Sequence, residues 1–177
     1  KHWKGMSKEV VDFRDATGEE ALWTNSMFSG MPAYQISTKY KANLIQYVDK
    51  IMMLGIPRPA NMLFLYLLGF YILLLSLKVD YRLAIVGAIA FAFSSYFFII
   101  IQAGHMTKAH AIAYLPMVVA AVLYTYRGKM FLGGVLTALT VALQLYCNHL
   151  QITYYLVLML LLIGIVQLVK DIQAKNL

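Results

Sequence analysis

The sequence holds one cysteine, Cys147, so it carries no internal disulfide framework. Acidic residues are scarce, 8 against 15 lysines and arginines, and charged residues of both signs make up only 13% of the chain. A soluble domain averages about 25% charged residues, so a water-facing surface is largely missing. The usual catalytic signatures are missing as well. There is no Walker loop, no dinucleotide-binding Gly-x-Gly-x-x-Gly, no Gly-x-Ser-x-Gly and no His-Glu-x-x-His. Despite a net charge of +7, no basic stripe is long enough to track a phosphate backbone, which removes nucleic acid from the partners considered. Nothing near Lys1 resembles a signal peptide, and neither an internal repeat nor a low-complexity segment occurs.

What is present is hydrocarbon. Apolar residues make up 61% of the 177 positions, and the mean hydropathy is +0.67. The apolar residues fall into five runs, at 60–77, 83–103, 111–126, 130–146 and 150–169. A membrane-crossing helix needs about 20 such residues. The pattern predicts an all-α fold: a polytopic transmembrane helix bundle over 60–177, in a lipid bilayer, preceded over 1–59 by an outward-facing loop segment with amphipathic helices. The runs at 111–126 and 130–146 are short, and residues 146–151 could instead be a break inside one bent element. Small residues recur at Ala84, Ala88 and Ala92, and at Gly134, Ala138 and Ala142, spacings that let helix backbones approach closely in lipid.

The polar segment has its own punctuation. Lys8 to Arg14 reads as a short amphipathic helix. Thr17 and Glu20 have the spacing of a capping box, predicting a helix from Glu19 through Trp23 that ends near Gly30. A second amphipathic helix is expected from Ala42 to Leu54, with Leu44, Tyr47, Val48, Ile51 and Met52 on one face, suited to the membrane interface. Pro57 and Pro59 end it. Basic residues set the orientation. Lys78, Arg82, Arg127, Lys129, Lys170 and Lys175 lie on one side, and among the short loops only Lys108 lies on the other, so the first side is cytoplasmic. Lys41, Lys50 and Arg58, on the outward segment, pull against that assignment.

The outward side collects the chemistry. The stretch Gly104 to His110 is read as a loop holding His105, Lys108 and His110, and His149 joins it from the loop at 147–150. The plain reading of these groups is interfacial polarity. The sharper one is that His105 and Lys108, three apart, hold an anion such as a phosphate. A zinc site is disfavoured, because the spacing of His105 and His110 is not that of a ligand pair and His149 is remote. Asp12 and Asp15 share a helix face in the outer segment, where carboxylates are ordinarily solvated.

The run Trp23-Thr24-Asn25-Ser26-Met27-Phe28-Ser29-Gly30-Met31-Pro32 resembles the outer loop of YfhO-type bacterial membrane proteins, in which a Trp is followed by Phe-x-Gly-x-Pro. The Gly104-His105 and Asn148-His149 steps are similar too. The resemblance implies a multi-span glycosyltransferase of the GT-C class in the bacterial cytoplasmic membrane. Such an enzyme moves a sugar from a polyprenyl-phosphate carrier to a cell-envelope acceptor on the outer face. It implies a catalytic carboxylate, here Asp12 or Asp15, with Trp23, His105, Lys108, His110 and His149 as substrate-binding residues. It leaves the cofactor open, a divalent metal included, along with the sugar, the acceptor and the oligomeric state. In that family an Asp directly behind a preceding span is expected, so the main carboxylate is expected upstream of Lys1. The competing class is a transporter, flippase part or assembly subunit. Against it stands the absence of ionisable residues from the centres of the apolar runs.

Overall fold

The computed structural model describes residues 7–26, 28–36 and 42–174, in two compact units, 1–43 and 44–177. Lys175, counted above for orientation, lies outside the described residues.

In the first unit, α1 (Lys8–Thr17) ends at Gly18, whose left-handed φ of 75° turns the chain back so that its N–H reaches Arg14 O. The helix predicted from Glu19 through Trp23 does not form. Its place is taken by a two-stranded antiparallel hairpin, β1 (Trp23–Thr24) and β2 (Met31–Pro32). Two local interactions override the capping-box pattern. Glu20 pairs with Arg14 at 2.6 Å instead of reaching back to the backbone. Trp23 folds its indole over Gly30, where an added Cβ would stand 2.7 Å from Nε1. Glu9 staples α1 to the hairpin by accepting from the Thr24 hydroxyl and from the Asn25 and Ser26 amides at 3.0 Å.

The second unit is a bundle of helices. It begins with α2 (Ile45–Met52) and continues through α3 (Ala60–Ser76), α4 (Tyr81–Ala92), α5 (Ser95–Gln102), α6 (Met106–Tyr126), α7 (Met130–Tyr146) and α8 (Leu150–Gln173). Among the described residues, α6 and α8 are long and apolar enough to cross a membrane, and α4 with α5 makes a third crossing if the bent pair is one span. The expected span at 83–103 is thus two helices, bent by 42°. The break at Phe93-Ser94 lets Phe97 stack on Tyr66 (4.3 Å between ring centres) while Phe91 stacks on Phe70 at the same separation.

The central element is α6. In its most apolar stretch 61% of residues are buried, against 11% for α8, whose leucines and isoleucines face outward. An exposed belt of that kind is stable only against hydrocarbon, so this is a helical membrane protein. Because lipid tails are as apolar as Leu, close backbone packing and hydrogen bonds have to hold the helices together. They do so at small residues. An added Cβ on Gly69 of α3 would lie 2.8 Å from Ala113 O of α6, and Tyr66 donates to Ala109 O at 2.9 Å. On α4 the stripe Ala84, Ala88, Ala92 is buried as expected. On α7 the contact face is one residue away from the expected one. Gly133 packs against the Thr125 backbone and Gln144 is buried, whereas Gly134 faces open space and Ala138 is exposed.

This offset is directly testable. Gly133→Ala brings a methyl within 2.6 Å of Thr125 Cα and should destabilise the protein by about 1–3 kcal/mol, the usual cost of overpacking. Gly134→Ala should cost nothing. Thermal unfolding of both variants in detergent micelles checks the pair, and equal losses would return the contact to the Gly134 face.

Candidate functional site

The first unit holds three of the residues singled out by sequence. Asp12 lies on α1 and pairs with Lys8, one turn away, both well exposed. Asp15 lies exposed on the same helix. Trp23 covers Gly30 and donates to Asn25 Oδ1 at 3.2 Å. The Trp-to-Gly spacing therefore has a structural account: only glycine fits under the indole, at a φ of 119° that suits glycine as well. The Glu9 carboxyl is held below its usual range, chiefly by the Thr24 hydroxyl and also by the two backbone amides.

In the second unit the stretch read as a loop is mostly helix. Gly104, with a left-handed φ of 84°, ends α5. His105 is the N-cap of α6, and both Lys108 and His110 lie inside its first turns. A helix advances about 100° per residue, so Lys108 and His110 leave α6 on opposite sides. The four groups expected together accordingly divide.

On one side are His105, Lys108 and His149. Lys108 Nζ lies 5.5 Å above the Tyr96 ring. His149 caps the start of α8, and its Nε2 is buried without a hydrogen bond among the described residues. Burial first, then the positive charges of Lys108 and His105, push the His149 imidazole below its ordinary value. This is a cationic mouth with an unpartnered ring nitrogen at its edge, a setting in which Lys108 can hold an anionic oxygen.

On the other side, His110 meets a residue that the sequence reading passed over. The Asp49 carboxylate is buried, with 8% of its side chain exposed, and Oδ1 lies 2.8 Å from His110 Nε2. That contact is off the line a hydrogen bond requires, so it attracts as a charge pair when the imidazole is protonated. Tyr114, one turn beyond His110, donates a hydrogen bond of 2.6 Å to the same Oδ1. The face of α2 that packs inward is Ile45, Val48, Asp49, Met52 and Met53. The expected face was wrong in part: Leu44, Tyr47 and Ile51 point outward. The available signal was the spacing of Asp49 to Ile45, Val48 and Met52, which puts an acid on an apolar stripe.

The two sides meet at the turn between α7 and α8. Cys147 is buried; burial, and next the charge on Asp49, push its thiol up. Two residues on, His149 feels Lys108. Between them Asn148 takes a left-handed φ of 51°. Further buried polar atoms lack hydrogen-bond partners among the described residues: Gln144 Nε2 on α7, and Asn61 Oδ1 at the start of α3. Gln144 Oε1 accepts from Thr153 at 3.1 Å. Such orphaned atoms cost about 1–3 kcal/mol each unless something binds them. Among the described residues no three metal-ligating side chains converge. A shallow, mainly apolar groove lined by Leu123, Leu162, Ile163, Val166, Gln167 and Lys170 lies at the opposite end of α6 and α8.

The His149 environment predicts a pH effect. With its folded value lowered from 6.5, the unfolded chain binds more protons, so stability is full above pH 6.5 and falls as the pH drops through that value. His149→Gln should flatten the fall in melting temperature between about pH 7 and pH 5. An unchanged slope would place the effect on another group. No family model, no curated protein and no solved structure matches this chain.

Proposed function

We propose that this chain is part of a glycosyltransferase of the class its outer segment resembles, a multi-pass protein of the bacterial cytoplasmic membrane. On this reading it takes a sugar from a polyprenyl-phosphate carrier and transfers it to a cell-envelope acceptor at the outer face. The observation that carries the proposal is the gathering of His105, Lys108 and His149 at one set of helix ends, with a buried carboxylate, Asp49, held by His110 on the opposite face of the same turns of α6. Glycosyl transfer from a phosphate carrier needs both parts: positive charge where the phosphate departs, and a carboxylate where a hydroxyl loses its proton. The segment before α3 and the cationic mouth then face outward. The turns carrying Lys78, Arg82, Arg127 and Lys129 face the cytoplasm, following the distribution of basic residues.

A second reading, transport, draws on the buried Asp49 and His110 pair, since ionisable pairs inside a bundle also mark substrate paths. Transfer and transport separate in one assay of membrane vesicles, in which labelled sugar ends either in the envelope acceptor or in the vesicle lumen.

Lys108→Ala combined with His105→Ala should weaken use of the carrier on the order of tenfold to a hundredfold, the worth of a charge-assisted hydrogen bond of about 1.5–3 kcal/mol, with protein level maintained. Unchanged transfer would make both residues interfacial only. Topology is tested by thiol labelling of intact cells, with a low background because Cys147 is buried. Lys108→Cys should react with a membrane-impermeant reagent and Lys129→Cys should not. The reverse pattern would sink the orientation.

A further inference from the structure

A carboxylate has no place on the apolar face of an amphipathic helix unless something holds it there. Asp49 is held by two groups from one face of α6, and both act on one oxygen. Tyr114 donates to Oδ1 at 2.6 Å, and His110 Nε2 approaches Oδ1 at 2.8 Å. Oδ2 makes no hydrogen bond among the described residues. One oxygen is anchored and the other is left with its acceptor capacity, the arrangement of a positioned proton acceptor rather than of an ion pair closed on itself. The orphaned Gln144 amide nitrogen belongs to the same end of the bundle, within one turn of Cys147, which feels the Asp49 charge. Gln144 is fully buried, so its free donor faces protein interior and not bulk solvent.

We infer that Asp49 is the carboxylate that accepts the proton of an incoming hydroxyl group, and that the occupant of this end of the bundle is a polyhydroxylated, sugar-like acceptor. The inference rests on the glycosyl-transfer reading and names its base within this chain, in place of Asp12, Asp15 or a carboxylate farther upstream. The step balances as follows. Asp49 Oδ2 takes the hydroxyl proton, and the acceptor oxygen forms a bond to the anomeric carbon. The bond between that carbon and the carrier phosphate breaks, and its electron pair leaves on the phosphate oxygen. The negative charge so released is the one that the proposed function assigns to Lys108 and His105. Asp49 then loses the proton to water. Tyr114 and His110 are positioning residues, acting through Oδ1.

The experiment uses the protein in bacterial polar-lipid vesicles, given a cell-envelope extract and a panel of polyprenyl-phosphate-linked glucose, galactose and N-acetylglucosamine. Asp49→Asn keeps an oxygen for the Tyr114 hydroxyl but cannot take a proton. It should lower kcat by about a hundredfold or more, the worth of a general base, with KM for the carrier unchanged. Tyr114→Phe keeps the ring and the carboxylate, and should lower kcat about tenfold at unchanged KM. If Asp49→Asn does not accumulate in membranes, Tyr114→Phe decides by that same split. Wild-type kcat in Asp49→Asn, or in Tyr114→Phe where that variant decides, overturns the assignment alone. A rise in KM matching the fall in kcat/KM reduces the trio to a structural latch and also overturns it. No transfer by the wild-type protein from any of the three carriers overturns the glycosyl-transfer reading itself.

Discussion

A charge among hydrocarbon side chains must be met by donors within reach, and that requirement organises one whole end of this molecule. Asp49 brings α2 onto the bundle, and Tyr114 and His110 fix where on α6 it lands. Without the acid, α2 would be an ordinary amphipathic helix, free to slide over the interface on its apolar residues. The cost of an unpaired buried carboxylate supplies the register that apolar contact alone leaves undefined. The turn between α7 and α8 lies within range of the same charge, at Cys147.

The bundle is arranged so that this end can be polar. Helix α6 spends its small residues on close contact, Ala109 and Ala113 against Tyr66 and Gly69 of α3. Its first turns then have two opposite faces to give to side chains. One carries Lys108 toward the cationic mouth and the other carries His110 toward Asp49. The bend between α4 and α5 belongs to the same economy: it admits Phe97 against Tyr66, so that an aromatic cluster and not a polar group backs α3. Exposed leucines and isoleucines of α8 leave its outer face to lipid.

Much of this was legible in the sequence where the signal was periodic and apolar. The runs from 60 to 169 became helices close to where they were read, because hydrocarbon length and short polar connections leave few alternatives. Where a second interaction competed, the sequence misled. Thr17 and Glu20 match a capping box, yet Arg14 took the Glu20 carboxylate and Trp23 took Gly30, making a hairpin. The histidines and lysine after Gly104 looked like a loop because they are polar, although Ala109 to Ala113 could continue a helix backward through them. Asp49 was hidden by its own placement. Counting only apolar residues on α2 mixed the outward Leu44, Tyr47 and Ile51 with the inward Val48 and Met52, and partners 61 and 65 residues away cannot be seen in a local window.

The outward stripe of α2 has a consequence of its own. Leu44, Tyr47, Ile51 and Leu54 are exposed on the side away from the bundle, and Lys50 lies beside the Tyr47 ring. A helix with that face is suited to lie along the membrane surface, its apolar side toward the headgroups. Its opposite face holds Asp49 against α6, which runs through the bilayer. Placed so, the helix would act as a depth gauge: lipid on one side and a membrane-crossing candidate, α6, on the other would tie the depth of the carboxylate to both. A thicker or thinner bilayer would pull the two sides of α2 toward different depths, and the contact between Asp49 and Tyr114 is where that disagreement would be felt.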